Sequence, residues 1–523
     1  MSEPLPIRMR CAGCGTEAPP AEAEPHPFRC PRSSRADDVD HVMRREVDAR
    51  ALHWPASTEP NPFERYRGLF YSCRFAAAHG MSDQAYVELV RRLDQAVASI
   101  DGRGFTATPF CRSAALSERL GLSADGGVFV KDETGNVSGS HKGRHLMGIM
   151  LYLVVLEELG LAPGRSDRLG YRPRPTPQPP VPSPQPLSIA SCGNAALAAA
   201  VVARAVGWPL RVFVPRSADQ FVLERLNELG ADLITCERGT GGSGDPCYLR
   251  FHESLESGAL AFCVQGSDNA LTIEGGETLA WEIVDALHEA GLDRLFIQVG
   301  GGALASSCIQ AFTEAAALGR ISPLPRFHAV QTRGGSPLKR AYDRVADRIL
   351  QRLRPSVGTW HWTVSRQPAG SGSGQREMGG GTPAAASGPA IPDWERAEII
   401  RACASSSIIQ EELRFARTHR SAFMWPWEQE PRSIAHGILD DETYDWAVVV
   451  EGMLQTGGYP VVVEEELLID ANTVAREATA INVDHTGSAG LAGLMELAAI
   501  REAAPKPAER IGIIFSGVQR PAR

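Results

Sequence analysis

Leu295-Phe-Ile-Gln-Val-Gly-Gly-Gly-Ala-Leu304 is a short apolar run that ends in three glycines and passes into a helical pattern. An apolar run this short, bounded by a turn, predicts a strand covered on both faces rather than a buried helix. The same order recurs on either side. Upstream, Leu187-Ser-Ile-Ala190 leads into Ser191-Cys-Gly-Asn194 and an alanine-rich helix, and Leu210-Arg-Val-Phe-Val214 meets Pro215 and another helix. Earlier still, Val128-Phe-Val130 closes a strand before the Lys131–Asn136 loop. Downstream come Phe327-His-Ala-Val-Gln331 and a last strand, Ile513-Ile-Phe515, which ends at Ser516-Gly517. Apolar runs alternating with helices of about ten to fifteen residues predict an α/β fold with parallel sheets. Ligands of such folds bind beyond the carboxyl ends of strands, where the glycine turns of this chain fall.

With 523 residues the chain exceeds one ordinary core, so two or three units are expected. Its 53 basic and 62 acidic residues leave a net charge of −9, and no long Lys/Arg run offers a nucleic-acid surface. The most apolar stretch, Leu146 to Leu156, stops at Glu157-Glu158. A membrane span needs roughly 20 apolar residues, so this stretch predicts a buried helix and no membrane contact. The amino-terminal stretch lacks the apolar core of a secretory signal, and eleven scattered cysteines fit reduced thiols in the cytoplasm.

Four places carry chemistry. In Ser138-Gly-Ser-His-Lys142-Gly-Arg144 a lysine stands among small residues where a loop becomes a helix, which lets a flat ring approach the backbone. A lysine performs covalent catalysis when it meets a carbonyl, and for amino-acid substrates that carbonyl is usually pyridoxal phosphate, held as a Schiff base. In Ser191-Cys192-Gly193-Asn194-Ala195 the amides of a helix start suit a substrate carboxylate, and the Asn194 side chain suits the phenolic oxygen of the cofactor. Gly300-Gly301-Gly302-Ala303-Leu304 forms a backbone concavity for a phosphate. It has neither the Gly-x-Gly-x-x-Gly spacing of dinucleotide sites nor the lysine of a P-loop. Ser516 would set a neutral hydroxyl against the pyridine nitrogen, which suits elimination at the β carbon.

Together these places resemble the fold-type II pyridoxal-phosphate enzymes, a family that includes threonine synthase, serine/threonine dehydratases and the tryptophan synthase β subunit. The resemblance runs from about Lys131 to the end. It implies two three-layer αβα domains with parallel sheets and the cofactor in the cleft between them. Ile273-Glu-Gly-Gly-Glu-Thr278-Leu-Ala-Trp-Glu-Ile283 is similar to a threonine synthase segment. So are Thr456-Gly-Gly458 through Glu465-Glu466, and Val483 through Ala492. His141 stands where most threonine synthases and dehydratases have an aromatic residue, and the triple glycine and Ser516 look more like dehydratases or tryptophan synthase. The expected function is a threonine-synthase-like lyase in which the Lys142 amine abstracts the α proton of a small amino acid. Elimination or replacement at the β or γ carbon follows. The alternatives are a serine/threonine dehydratase or other β-replacing enzyme, and a cofactor-binding protein without turnover. A phosphohomoserine clamp would draw on Arg144, Lys339 or Arg340. Homodimers are common in the resembled family.

The expected organisation has a cysteine knuckle at 1–45, a large cofactor domain from 46–135 and 216–520, and a small substrate-loop domain at 136–215. A proline-rich insert at 163–186 lies outside the large domain and a Gly/Ser-rich insert at 365–392 lies within it. In the knuckle, Cys11, Cys14 and Cys30 have zinc-ligand character. His26 or His41 would complete the set, or the knuckle is a metal-free remnant; such knuckles occur in some threonine synthases.

Overall fold

The computed structural model describes residues 5–34, 37–162, 185–237, 244–287, 290–357 and 391–520, with the main chain alone for 354–357. Nearly all of both expected inserts lies outside the described residues.

An antiparallel pair, β1 (Ile7–Cys11) and β2 (Met43–Val47), opens the chain. The large sheet begins with β3 (Phe110–Ser113) and β4 (Gly127–Asp132). The small sheet follows as β5 (Leu187–Ala190), β6 (Leu210–Pro215), β7 (Asp232–Cys236) and β8 (Leu260–Ala261). The chain then returns to the large sheet through β9 (Arg294–Gln298), β10 (Arg326–Thr332), β11 (Val461–Val463) and β12 (Arg510–Phe515). The sheet orders are β11-β10-β9-β12-β4-β3 and β7-β6-β5-β8. Every pairing in these two sheets is parallel except β3 with β4. The architecture is therefore the two-sheet α/β fold that the repeating pattern implied. A boundary at 215 cuts the small sheet between β6 and β7. Period and composition do not tell which sheet a strand joins, and β7 joins by pairing in parallel with β6.

The last strand is placed in the middle. β12 lies between β4 and β9, with Phe515 opposite Asp132 and Ile513 opposite Phe296. The carboxyl ends of β4, β9 and β12 thus lie side by side, although 384 positions separate Asp132 from Ser516 in the sequence. That convergence places the site.

The Lys142–Leu159 helix has no polar face to speak of, and its side chains from Gly143 to Leu156 are buried. A helix that is apolar all round belongs in a core. It crosses the Leu271–Leu287 helix where two glycines meet: a Cβ on Gly148 would stand 2.8 Å from Gly275 N, and one on Gly275 only 2.0 Å from Arg144 O. Among the described residues no helix is long and apolar enough to cross a membrane.

Charged residues inside this crossing are balanced. Arg144 is fully buried and donates to Glu133 at 2.9 Å and to Glu282 at 2.6 Å, while Lys131 donates to Glu282 at 2.5 Å. Two cations and two carboxylates tie β4, the helix after it and the Leu271–Leu287 helix. A second buried cation, Arg45 of β2, meets Glu274, Glu277 and Glu314 and holds the amino-terminal pair to the core. The Glu-Gly-Gly-Glu-Thr segment that is similar to threonine synthases is thus scaffold: its glycines allow the crossing, and its acids and Thr278 take up arginines.

Breaking a buried pair leaves an uncompensated charge at a cost of about 3–5 kcal/mol. Glu282→Gln is expected to destabilise the fold by about that amount, read as a lower urea midpoint, while Glu158→Gln on the partly exposed end of the Lys142–Leu159 helix is expected to shift it by under about 1 kcal/mol.

Candidate active site

The chain holds four lysines: Lys131, Lys142, Lys339 and Lys506. Lys131 is spent on Glu282, Lys339 on Asp343 and Asp393, and Lys506 is exposed. Lys142 has no ion pair among the described residues, and burial depresses its pKa against the pull of Asp440 and Asp445. A half-buried lysine poised to lose its proton is a nucleophile and a base. It is the first residue of its helix, delivered there by Ser138 and Gly139, which take positive φ values of 57° and 76°.

Ser516 lies against the residue that precedes this lysine. The His141 backbone N–H donates to Ser516 Oγ at 3.0 Å, and His141 Nδ1 shares a close hydrogen bond with the same oxygen. Burial holds the His141 pKa far below its ordinary value, with the Lys142 charge adding to the effect, so the ring is neutral. Its Nε2 is buried with no partner among the described residues. A polar atom of this kind needs a partner such as water or a ligand.

Asn194 begins the Asn194–Ala205 helix on the small-sheet side. Its Oδ1 accepts from Arg520 Nη1 at 2.6 Å, and Arg520 Nη2 reaches Ser138 O at 3.3 Å. The guanidinium must face the amide oxygen, so the Asn194 NH2 group is turned the other way. Ser191, Cys192 and Gly193 form the turn before it. Ser191 N–H donates to Phe213 O at 3.2 Å, Cys192 is exposed, and a Cβ on Gly193 would meet nothing within 4 Å.

The triple glycine leads from β9 into the Ala303–Ala317 helix, with Gly302 at φ 99° as its cap and Ala303 and Leu304 opening it. A Cβ on Gly300 would stand 2.3 Å from Asp440 Oδ2, and one on Gly301 2.9 Å from the Tyr444 ring. The Gly301 N–H donates to the Asp440 carboxylate, so the turn already holds an anion. Burial raises the Asp440 pKa to about 6, against the pull of Lys142.

The sequence-derived places lie at the carboxyl ends of strands from both sheets, and hydrogen bonds tie Ser516 to His141 and, through Arg520, Asn194 to Ser138. Arg520 and Asp440 were not among them. A lone arginine near the end of the sequence carries no signal, and Asp440 lies in an acidic run, Asp440-Asp-Glu442, that reads as a solvated loop. The clamp candidates are placed elsewhere: Arg144 is buried in the scaffold rather than at the surface, Lys339 is paired as above, and Arg340 meets Glu428 at 2.7 Å.

Residues 103–378 match the model of the family described as "Pyridoxal-phosphate dependent enzyme". The chain belongs to that family. Among curated proteins it is 26% identical over 253 residues to threonine synthase of Methanocaldococcus jannaschii, covering 48% of this chain and 53% of the relative. It is 29% identical over 178 residues to L-serine dehydratase of Saccharomyces cerevisiae, covering 32% and 50%. The chain thus matches about half the length of these relatives. Among solved structures, diaminopropionate ammonia lyase of Escherichia coli superposes with a TM-score of 0.51 at 13% identity, over 83% of this chain and 89% of that one. Threonine deaminase isoform 2 of Solanum lycopersicum gives 0.50 at 14% identity, over 84% and 91%. At these identities the superpositions show the fold.

Pyridoxal phosphate fits the cleft on the structure's own terms. Lys142 has a depressed pKa, the Gly301 amide receives an anion, and His141, whose Nε2 is unpartnered among the described residues, is joined to the strand-end hydroxyl of Ser516.

At the amino terminus, Cys11, Cys14, Cys30 and His41 bring their ligand atoms within 4.8 Å of one another. His26 is turned to Phe28, 5.4 Å away between ring centres.

Arg520→Ala frees the Asn194 amide to rotate and removes a charge-assisted hydrogen bond worth about 1.5–3 kcal/mol. Cofactor titration followed by absorbance is expected to show binding weakened roughly tenfold or more, with an unchanged far-ultraviolet spectrum.

Proposed function

We propose that the chain is a pyridoxal-phosphate-dependent lyase that removes the α proton of a small amino acid and expels or replaces a substituent at the β or γ carbon. The observation that supports this reading is Lys142, a half-buried lysine without an ion pair among the described residues, which follows His141, the partner of Ser516, and feels the charge of Asp440 at the glycine turn. Bound cofactor supplies the electron sink that makes the α C–H acidic. Lys142 Nζ holds the cofactor at rest and takes the α proton in turnover. The Gly300–Leu304 amides hold the phosphate, and the Asn194 NH2 faces the ring hydroxyl. Ser516, kept in place by His141, faces the ring nitrogen. The Ser191–Ala195 turn, with its helix-start amides, receives the substrate carboxylate.

Of the two activities in this reading, β-elimination of the dehydratase kind is the better supported. The segment most like threonine synthase is scaffold, and each cation considered for a phosphohomoserine clamp is paired with carboxylates of the chain. Within the same proposal the enzyme works in the cytoplasm as a homodimer. Free thiols at all eleven cysteines and the habit of the resembled enzymes support this.

We also propose that Cys11, Cys14, Cys30 and His41 bind zinc. Three sulfurs and one nitrogen form a structural donor set, and Cys14 Sγ lies 3.6 Å from Cys30 Sγ, close to a tetrahedral edge. The wild type is expected to hold about one zinc per chain, and the Cys11→Ala/Cys14→Ala pair none, by elemental analysis. A wild type purified with zinc that retains no metal contradicts the site.

Lys142→Ala is expected to lose the Schiff-base absorbance and all turnover. Assays with serine, threonine and O-phosphohomoserine are expected to release a keto acid from at least one of the first two. A Schiff-base band that persists in Lys142→Ala overturns the assignment of the lysine.

A further inference from the structure

A cavity of about 250 Å3 lies beside the Asn194–Ala205 helix, between the end of the Asp83–Asp101 helix and the Gln220–Glu228 helix. Ser138 and Gly139, which lead to Lys142, and Val518 and Arg520 complete its wall. Neither Lys142, the Ser191–Ala195 turn, the glycine turn nor Ser516 lines it. At a share of about 30 Å3 per water it has room for roughly eight waters, the bulk of one small organic molecule.

The wall has two characters. Leu197, Val201, Phe221, Leu229 and Val518 make it apolar on one hand. Its charged members are Arg103, Arg225 and Arg520 against a single carboxylate, Asp101. Asp101 is already in use: it accepts the Ser138 N–H at 3.0 Å and lies 3.8 Å from Arg103. Arg225 meets Glu228 at 3.0 Å in a partly exposed pair of the weak kind. Arg520 is half-buried and forms no ion pair among the described residues; both of its Nη atoms donate to uncharged oxygens, Asn194 Oδ1 and Ser138 O. Burial lowers its pKa against the pull of Asp484 and Asp219. A guanidinium withdrawn from water without a carboxylate is costly, and an anion relieves it. Independently, the Ser138 hydroxyl is buried with no partner among the described residues.

We propose that this cavity binds a small carboxylate with an aliphatic body, the carboxylate paired with Arg520 and Arg225 and the body packed on the apolar wall. A purely polar anion would leave that wall unfilled, and an uncharged apolar molecule would leave Arg520 unanswered. The site is coupled to the cofactor, a step that rests on the cofactor reading above. The same guanidinium that meets the ligand holds Asn194 Oδ1. A bound carboxylate orders Arg520 and so fixes the Asn194 amide in advance, which tightens cofactor binding. Linkage makes the effect mutual, so that the cofactor tightens the carboxylate by the same factor.

Calorimetry on the holoenzyme tests the site, with 4-methylpentanoate as the probe and acetate and 4-methyl-1-pentanol as controls. The probe is expected to bind saturably and each control to bind weaker by roughly tenfold or more, since acetate lacks the body and the alcohol lacks the charge. Arg225→Gln and Phe221→Ala, both outside the cofactor site described above, are each expected to weaken the probe roughly fivefold or more with unchanged cofactor absorbance. Cofactor titration at saturating probe is expected to give an affinity roughly fivefold or more higher than without it, a gain that Arg520→Ala abolishes. The proposal is overturned by the absence of saturable binding, by a control that binds as well as the probe, by binding that neither wall variant moves, or by a cofactor affinity that the probe leaves unchanged. If the chain takes up no cofactor, the cofactor reading falls, and calorimetry on the cofactor-free protein and its two wall variants decides the cavity by itself.

Discussion

The buried quartet of Lys131, Glu133, Arg144 and Glu282 is the constraint on which the rest of the structure hangs. Two positive and two negative groups sit in a low-dielectric crossing, where any one alone would be very costly. Their geometry leaves little freedom. Lys131 and Glu133 fix the end of β4, Glu282 fixes the helix that crosses beneath, and Arg144 is two residues from Lys142. The lysine's place is therefore set by a charge network that never enters the chemistry. The glycine contact between Gly148 and Gly275 brings the helices near enough for the network to close. Its balance also explains the difference between Lys131 and Lys142. Lys131 is held by a carboxylate, and Lys142 is left free of one.

Much of this was legible in the residues. The parallel α/β class followed from apolar runs alternating with helices, because a strand covered on both faces has no alternative composition. The lysine, the asparagine turn, the glycine turn and the strand-end hydroxyl could be singled out because each rests on local sequence features. Other parts were not. Position 215 was read as the end of a unit, while β7 and β8 are bound to β6 and β5 by backbone pairing that carries no side-chain signature. The central insertion of β12 is a long-range pairing of the same kind. Arg144 stood in the sequence as a clamp candidate, and only the crossing with the Leu271–Leu287 helix shows that it is scaffold. Asp440 and Arg520 act through partners more than a hundred residues away, Gly301 and Asn194, so no spacing rule reaches them.

The electrostatics of the cleft sharpen what membership of the family leaves open. A fold of this kind hosts several substrates, and the choice among them lies in the few groups that meet the side chain. Around Lys142 the charges acting on it are those of Asp440 and Asp445, neither of which forms an ion pair among the described residues. The same depressed lysine pKa that suits proton abstraction is sustained against the pull of these acids, so burial must outweigh them at Lys142. The cleft therefore depends on exclusion of water as much as on its charges.

The central claim is that Lys142 alone carries the cofactor. Four lysines make this unusually simple to decide. Borohydride reduction of the holoenzyme fixes the cofactor to its lysine, and peptide mass mapping then locates the added pyridoxyl group. The account predicts the added mass on the peptide that contains Lys142 and on no other. The same mass on Lys131, Lys339 or Lys506, or on none of the four, would contradict it.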